Sequence, residues 1–191
     1  MLKRPALLLA IVLTLLAPVS SAWAQSRGSV GDTFSGEELV QTGSAFFGSV
    51  AQGLASVIER AVGEYGQPNG YILGEDAGGA LFAGARYGEG KLYTRNAGEL
   101  ALYWQGPSLG LDVGGDGSKT MMLVYNLNST GDVYGRFAGV NGSAYVVGGV
   151  GMTVIKNRSV VMVPIRSGLG ARLGLNVGYL KFTDQPTWNP F

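Results

Sequence analysis

Histidine and cysteine are both absent from the 191 residues. Without histidine the chain lacks the usual general base near neutral pH, the Ser-His-Asp and Cys-His nucleophile systems and the commonest zinc ligand. Carboxylate, lysine or tyrosine chemistry is what remains. Without cysteine there is neither a disulfide nor a thiol to carry a lipoprotein's acyl chains, so in an oxidising compartment the core alone must hold the fold. Excess charge is missing too, with 14 basic against 13 acidic residues. Nucleic-acid affinity is dominated by phosphate contacts and needs a marked basic excess, so that class is excluded. Glycine is plentiful at 32 residues, yet no G-x-x-x-x-G-K-[ST] or G-x-G-x-x-G stands between a strand and a helix pattern, which removes the common nucleotide loops.

The one long apolar run, Ala6 to Ala17, follows Lys3 and Arg4 and precedes Ala22-Trp23-Ala24. This is the three-part layout of a secretory signal, and at about a dozen residues the run is short of the roughly 20 that cross a bilayer. Cleavage is expected after Ala24, with export to the periplasm of a Gram-negative bacterium and a mature chain beginning at Gln25. Losing Lys3 and Arg4 leaves 12 of the 14 basic residues against 13 acids, a net charge of about −1. Residues 1–24 are thus read as the signal peptide, 25–34 as a flexible leader of small polar residues, and 35–191 as a single domain.

Ser35 and Glu38 form the pattern of a capping box and mark a helix start. Leu39, Gly43, Phe46, Phe47, Val50, Leu54, Val57, Ile58, Ala61, Val62 and Tyr65 recur at spacings of three and four, until Gly66 and Pro68 stop the pattern. One amphipathic helix of roughly 30 residues is predicted, with Gly43, Gly48 or Gly53 as points where it bends. Its apolar stripe is expected to cover the rest of the fold rather than to lie on a membrane.

After Pro68 short runs of Val, Leu, Ile, Tyr and Met alternate with turn signals at Glu89-Gly90, Gly115-Asp116-Gly117, Asn141-Gly142 and Asn157-Arg158. Strands are predicted near 71–73, 79–86, 91–95, 99–104, 108–114, 121–126, 143–155, 160–165 and 171–182, with one helical turn in 129–137. All 32 glycines lie beyond residue 24, roughly a fifth of that part against an average near 7%. Many fall inside strand patterns, where glycine is favoured only by bends or close backbone approach. The fold class expected is mainly β, a small glycine-rich antiparallel β-barrel with one N-terminal amphipathic α-helix.

Candidate binding residues are Phe46 and Phe47 on the apolar stripe, Tyr103 and Trp104 before Gly106-Pro107, and Arg166 and Arg172 among the strand-region cations. Nine basic residues fall in strands or turns: Arg86, Lys91, Arg95, Arg136, Lys156, Arg158, Arg166, Arg172 and Lys181. They either gather on one face to meet anionic headgroups or protect strand edges. Glu99, Asp112 and Asp116 are the carboxylates an enzyme of unfamiliar type would use. No metal site, cofactor or catalytic residue is predicted.

Four blocks carry a family likeness: Gly106 to Gly115, Gly139 to Gly151, Pro164 to Gly170, and Asn176 to Phe182 with the terminal Pro186-Thr187-Trp188-Asn189-Pro190-Phe191. They resemble the envelope integrity protein A family of periplasmic proteins. The resemblance implies a small barrel that supports envelope stress resistance, with no assigned catalytic residues. A more distant likeness, through Gly106 to Gly115 and Arg166 to Gly174, is to the SYLF lipid-binding domain. The function expected is therefore non-enzymatic support of envelope integrity through a lipid-like or apolar component, with peripheral membrane contact among its partners. The alternatives are an integral outer-membrane β-barrel, which Pro186 and Pro190 near the end argue against because proline cannot join a terminal ladder, and a carboxylate-dependent enzyme.

Overall fold

The computed structural model describes residues 32–48, 52–78, 85–107, 118–167 and 178–189. The Ser35–Glu38 box forms as predicted: the Glu38 amide donates to Ser35 Oγ at 3.3 Å and the Ser35 amide to Glu38 Oε2 at 2.8 Å. It opens helix α1 (Gly36–Phe47), and a second helix, α2, covers Leu54–Tyr65. The single helix expected over this stretch is thus two helices of 12 residues each. The break falls at two of the three glycines named as bend points. Gly48 caps α1 at φ +70, where helical backbone cannot continue, and Gly53 lies so close to the Val147 carbonyl that a side chain there would overlap it. The two helices touch where Leu54 reaches Gly43.

Ten strands follow: β1 (Gly70–Gly78), β2 (Ala85–Thr94), β3 (Gly98–Pro107), β4 (Ser118–Tyr125), β5 (Gly135–Gly139), β6 (Tyr145–Val147), β7 (Val150–Met152), β8 (Ile155–Asn157), β9 (Val160–Ser167) and β10 (Tyr179–Thr183). They pair antiparallel in the order β4-β1-β2-β3-β10-β5-β8-β9, and β9 returns to β4 to close an eight-stranded barrel. The β6–β7 hairpin extends from the second half of β9. The helical turn expected in 129–137 is a 3-10 turn at Thr130–Val133.

Two strand expectations differ from the structure. Glu89-Gly90 lies within β2 and is no turn; Gly90 stands beside Leu73, and its missing side chain lets the two backbones approach. The expected strand 143–155 is three short strands, because Gly148 and Gly149, at φ +55 and +78, make a tight two-residue turn between β6 and β7. Expectations for 79–84, 108–117 and 171–177 lie outside the described residues, as does the alternation predicted from Leu173 to Val177.

Strand alternation sorts the apolar side chains into two cores. Ile72, Leu92, Leu102, Trp104, Met122, Val124, Phe137, Met162, Leu180 and Phe182 point inward and fill the barrel. Met121, Leu123, Tyr125, Val161, Val163 and Ile165 point outward from β4 and β9, where Leu39, Phe47, Leu54, Val57, Ile58 and Ala61 of the helices cover them. The helices therefore cover an outer wall of a barrel that is already closed.

A charged clasp fixes α1 to the barrel. The Arg95 guanidinium, past the end of β2, donates to both Glu38 oxygens at 2.6 and 2.8 Å and to the Thr33 carbonyl at 2.8 Å. The backbone hydrogen bond at Ser35, then Arg95, hold the Glu38 pKa down at about 2, against an ordinary 4.5. A depressed carboxylate stabilises the fold above its unfolded pKa and loses that contribution as pH falls through the folded value. The melting-temperature gap between the protein and its Glu38→Gln variant should be widest near neutrality and close between pH 4.5 and about 2. A gap independent of pH in thermal scans would refute the clasp.

Candidate functional site

The inward positions of β1 run Ile72, Gly74, Asp76, so the alternation that builds the core also places a carboxylate inside the barrel. Asp76 is 5% exposed. The Trp104 indole N–H donates to Oδ1, the Thr120 hydroxyl donates to Oδ2 at 2.9 Å, and Arg166 Nε reaches Oδ2 at 2.7 Å. Thr120 and Arg166 face each other in the β4–β9 register. The buried Arg86 lies inward on β2, two residues from Gly88, which stands opposite Asp76. A buried carboxylate is tolerable only when donors replace its water, and these three come from β3, β4 and β9. The knot ties four strands together near one rim of the barrel.

Glycines make room for its central member. A Cβ at Gly74 would stand 2.6 Å from Trp104 Cη2, and one at Gly88 would stand 2.6 Å from Cζ2 and nearer still to Cε2 and Nε1. The indole thus lies across the bare backbones of β1 and β2, with Phe182 at 6.1 Å between ring centres. Two of the strand glycines thus find their cause in one buried indole.

On the outer wall an open groove of about 380 Å³ runs over β1, β2 and β3. Phe46 and Tyr103 line it, together with Glu75, Glu89, Lys91 and Ala101. Phe46 is positioned by Lys119, whose ammonium donates to the Phe46 carbonyl at 2.7 Å and lies 5.2 Å from its ring centre. Glu75 and Glu89 stand directly opposite each other in register, like charges side by side.

The six residues singled out from the sequence therefore separate. Phe46 and Tyr103 meet in the groove, half-buried. Phe47 is taken up by the core between helices and barrel, and Trp104 by the barrel interior. Arg166 joins Trp104 through Asp76, and Arg172 lies outside the described residues. Asp76 itself went unselected, although a signal existed: an arginine in an otherwise apolar strand such as β9 demands an acid partner. Of the carboxylates considered for catalysis, Glu99 is on the outer wall, 3.2 Å from Lys91, while Asp112 and Asp116 lie outside the described residues.

The architecture defines a class: small closed antiparallel barrels with a packed interior and helices on one outer wall. The model of the envelope integrity protein A family matches residues 32–191, and the chain belongs to that family. A crystal structure of a β-barrel-like, uncharacterised protein from Brucella abortus is similar, at 57% identity over 84% of this chain and 100% of the other, with a TM-score of 0.79. Among curated proteins no match was found. The family associates the chain with the cell envelope and its integrity. Among the described residues no helix is long and apolar enough to cross a membrane, a statement that does not bear on strands.

Proposed function

We propose that the protein is a non-enzymatic periplasmic factor of a Gram-negative envelope, freed from its signal peptide after Ala24. It supports envelope integrity and stress resistance by holding a lipid-like or apolar envelope component against its outer surface. One observation carries this reading. Among the described residues, apolar side chains fill the barrel interior, whereas Phe46 and Tyr103 leave apolar surface open in the outer groove. The groove's size is at the lower end for small-molecule sites, roughly 300–1,000 Å³, which suits one acyl chain or a small apolar group.

The membrane-barrel alternative is disfavoured by the same wall. A lipid-facing barrel carries an outward apolar band about 25 Å tall, whereas Glu75, Glu89, Lys91, Arg136 and Lys181 point outward here. The enzyme alternative is disfavoured at Asp76, whose oxygens are occupied by three donors, and at Glu99, which is paired with Lys91.

The test is mass spectrometry of organic extracts from protein purified out of its native envelope, beside a Phe46→Ala/Tyr103→Ala variant. A co-purified lipid-like species in the wild type, reduced roughly tenfold or more in the variant, is the expected result, since losing two aromatic contacts removes about 1.5–3 kcal/mol of apolar burial. An empty wild-type extract would sink the ligand clause.

A further inference from the structure

Ten basic residues follow Pro68, and they divide sharply: Lys119 of β4 donates to the Phe46 carbonyl. Arg86 and Arg166 are buried in the barrel, Lys91 pairs with Glu99, Arg95 pairs with Glu38, and Arg172 lies outside the described residues. The other four share one wall. Phe137, Leu180, Phe182 and Ile155 point inward, so Arg136, Lys181 and Lys156 point outward from β5, β10 and β8. Lys181 stands opposite Arg136 in register, Lys156 stands opposite Ala138, and Arg158 forms the turn from β8 to β9. Arg136, Lys156 and Arg158 are exposed, and among the described residues none of these three belongs to an ion pair. Two are aimed by rings beneath them, Arg136 by Tyr179 at 5.9 Å and Lys156 by Tyr65 at 5.4 Å. Acids flank this wall: Asp132 in the turn before β5, Asp184 just past β10, near Tyr134, and Glu64 hydrogen-bonded to the Tyr65 hydroxyl.

Beyond the β10 edge of this wall stands Trp188, 77% exposed, over Tyr87 of β2. It is held rather than trailing. The Tyr87 hydroxyl donates to its carbonyl at 3.0 Å, the two rings are 5.4 Å apart, and Lys181 Nζ donates to the next carbonyl, of Asn189, at 3.4 Å. A fixed indole beside lysines and arginines is the side-chain set of a membrane interface, where the ring enters the headgroup layer and the cations meet lipid phosphates.

The far side of the barrel carries both signs. In the closed order, β1 is four strands from β5, and β2 is four strands from β8. These are opposite walls, and on β1 and β2 the carboxylates Glu75 and Glu89 are flanked by Lys119 and Lys91.

We propose that the β10–β5–β8 wall, with Trp188 beyond its β10 edge, docks on a membrane surface of anionic headgroups. This rests on the reading of an envelope protein that meets a lipid-like component, and assigns the docking to a separate face. The test is co-sedimentation of the purified protein with vesicles of phosphatidylethanolamine and phosphatidylglycerol, against phosphatidylcholine alone, with Trp188 emission followed in parallel.

Binding to the anionic vesicles only, weakened by salt and accompanied by a blue shift of Trp188, is expected. The Arg136→Glu/Lys156→Glu/Arg158→Glu variant should lose roughly tenfold or more in affinity, since each cation near an anionic surface contributes appreciably. The milder Lys156→Gln/Arg158→Gln variant should lose less, and it serves if charge reversal disturbs the fold. Phe46→Ala/Tyr103→Ala should sediment as the wild type does, which separates this face from the groove. Equal binding to phosphatidylcholine, insensitivity to both basic-wall variants, or no sedimentation would overturn the proposal, the last even if a lipid is extracted from the groove. Preference for an acidic protein or a nucleic acid over the anionic vesicles would overturn it as well.

Discussion

Asp76→Ala should be the most damaging conservative-sized change in the barrel, costing about 3–5 kcal/mol, because it leaves a buried guanidinium without its main counter-charge. Against a total stability of about 5–15 kcal/mol for a domain, that is a large fraction. The magnitude follows from what the carboxylate does. It accepts from Trp104, Thr120 and Arg166 at once, so removal strands donors from three other strands. Asp76→Asn should cost less, since an amide oxygen still accepts while the charge is lost. Asp76→Ala combined with Arg166→Met should recover part of the loss, because replacing both ends of a buried pair with apolar atoms avoids the uncompensated charge. Urea unfolding followed by far-ultraviolet circular dichroism measures all three. An Asp76→Ala loss within about 0.5 kcal/mol, the range of ordinary surface changes, would mean the knot does not hold the strands.

The second large effect concerns space rather than charge. Gly88→Ala places a methyl group against the indole of Trp104, an aromatic body packed between β1, β2 and Phe182 with no flexible end to yield. Overpacking of a filled core costs about 1–3 kcal/mol, and a rigid neighbour puts this case at the upper end. Trp104→Leu alone should also destabilise, by a cavity and by loss of the N–H to Asp76. In the Gly88→Ala background the same replacement relieves the clash, so the two changes should be less than additive by about 1 kcal/mol or more. Strict additivity in the four-variant cycle would show that Gly88 is glycine for some other reason.

These two sites show what could be read in advance. The density of glycine inside strand patterns pointed to a tightly coiled barrel, and Gly74 and Gly88 bear that out, although the object they accommodate, Trp104, is not visible in any local spacing. The Ser35–Glu38 box was legible because it is wholly local. The helix break was legible only as a bend at Gly43, Gly48 or Gly53, because the three-and-four spacing of apolar residues runs through all three; it is the Val147 carbonyl, about a hundred residues away in sequence, that forbids a side chain at Gly53. Likewise Glu89-Gly90 has the composition of a turn but stays extended, because its neighbours on β1 and β3 pair with it on both sides. The Gly148-Gly149 turn was within reach of local rules and shows why a continuous 143–155 strand fails. Of the candidate site, Phe46 and Tyr103 were selected for aromatic character and do come together, through Lys119 holding α1 over β4. Asp76 needed the closed topology, since only barrel closure through β4 and β9 brings Arg166 to β1.

The central claim is that this barrel is filled and works with its outside, and tryptophan fluorescence addresses that most directly. In protein from its native envelope, with the N-terminus at Gln25 checked by intact mass, two tryptophans remain: Trp104 at the centre of the barrel and Trp188 on its surface. Vesicles of the native envelope lipids carrying brominated acyl chains are added to the wild type and to a Trp188→Phe variant. The account predicts quenching of the wild type through Trp188 and unchanged Trp104 emission in the variant. Quenching of Trp104 in the variant would contradict it, because lipid would then be entering the barrel.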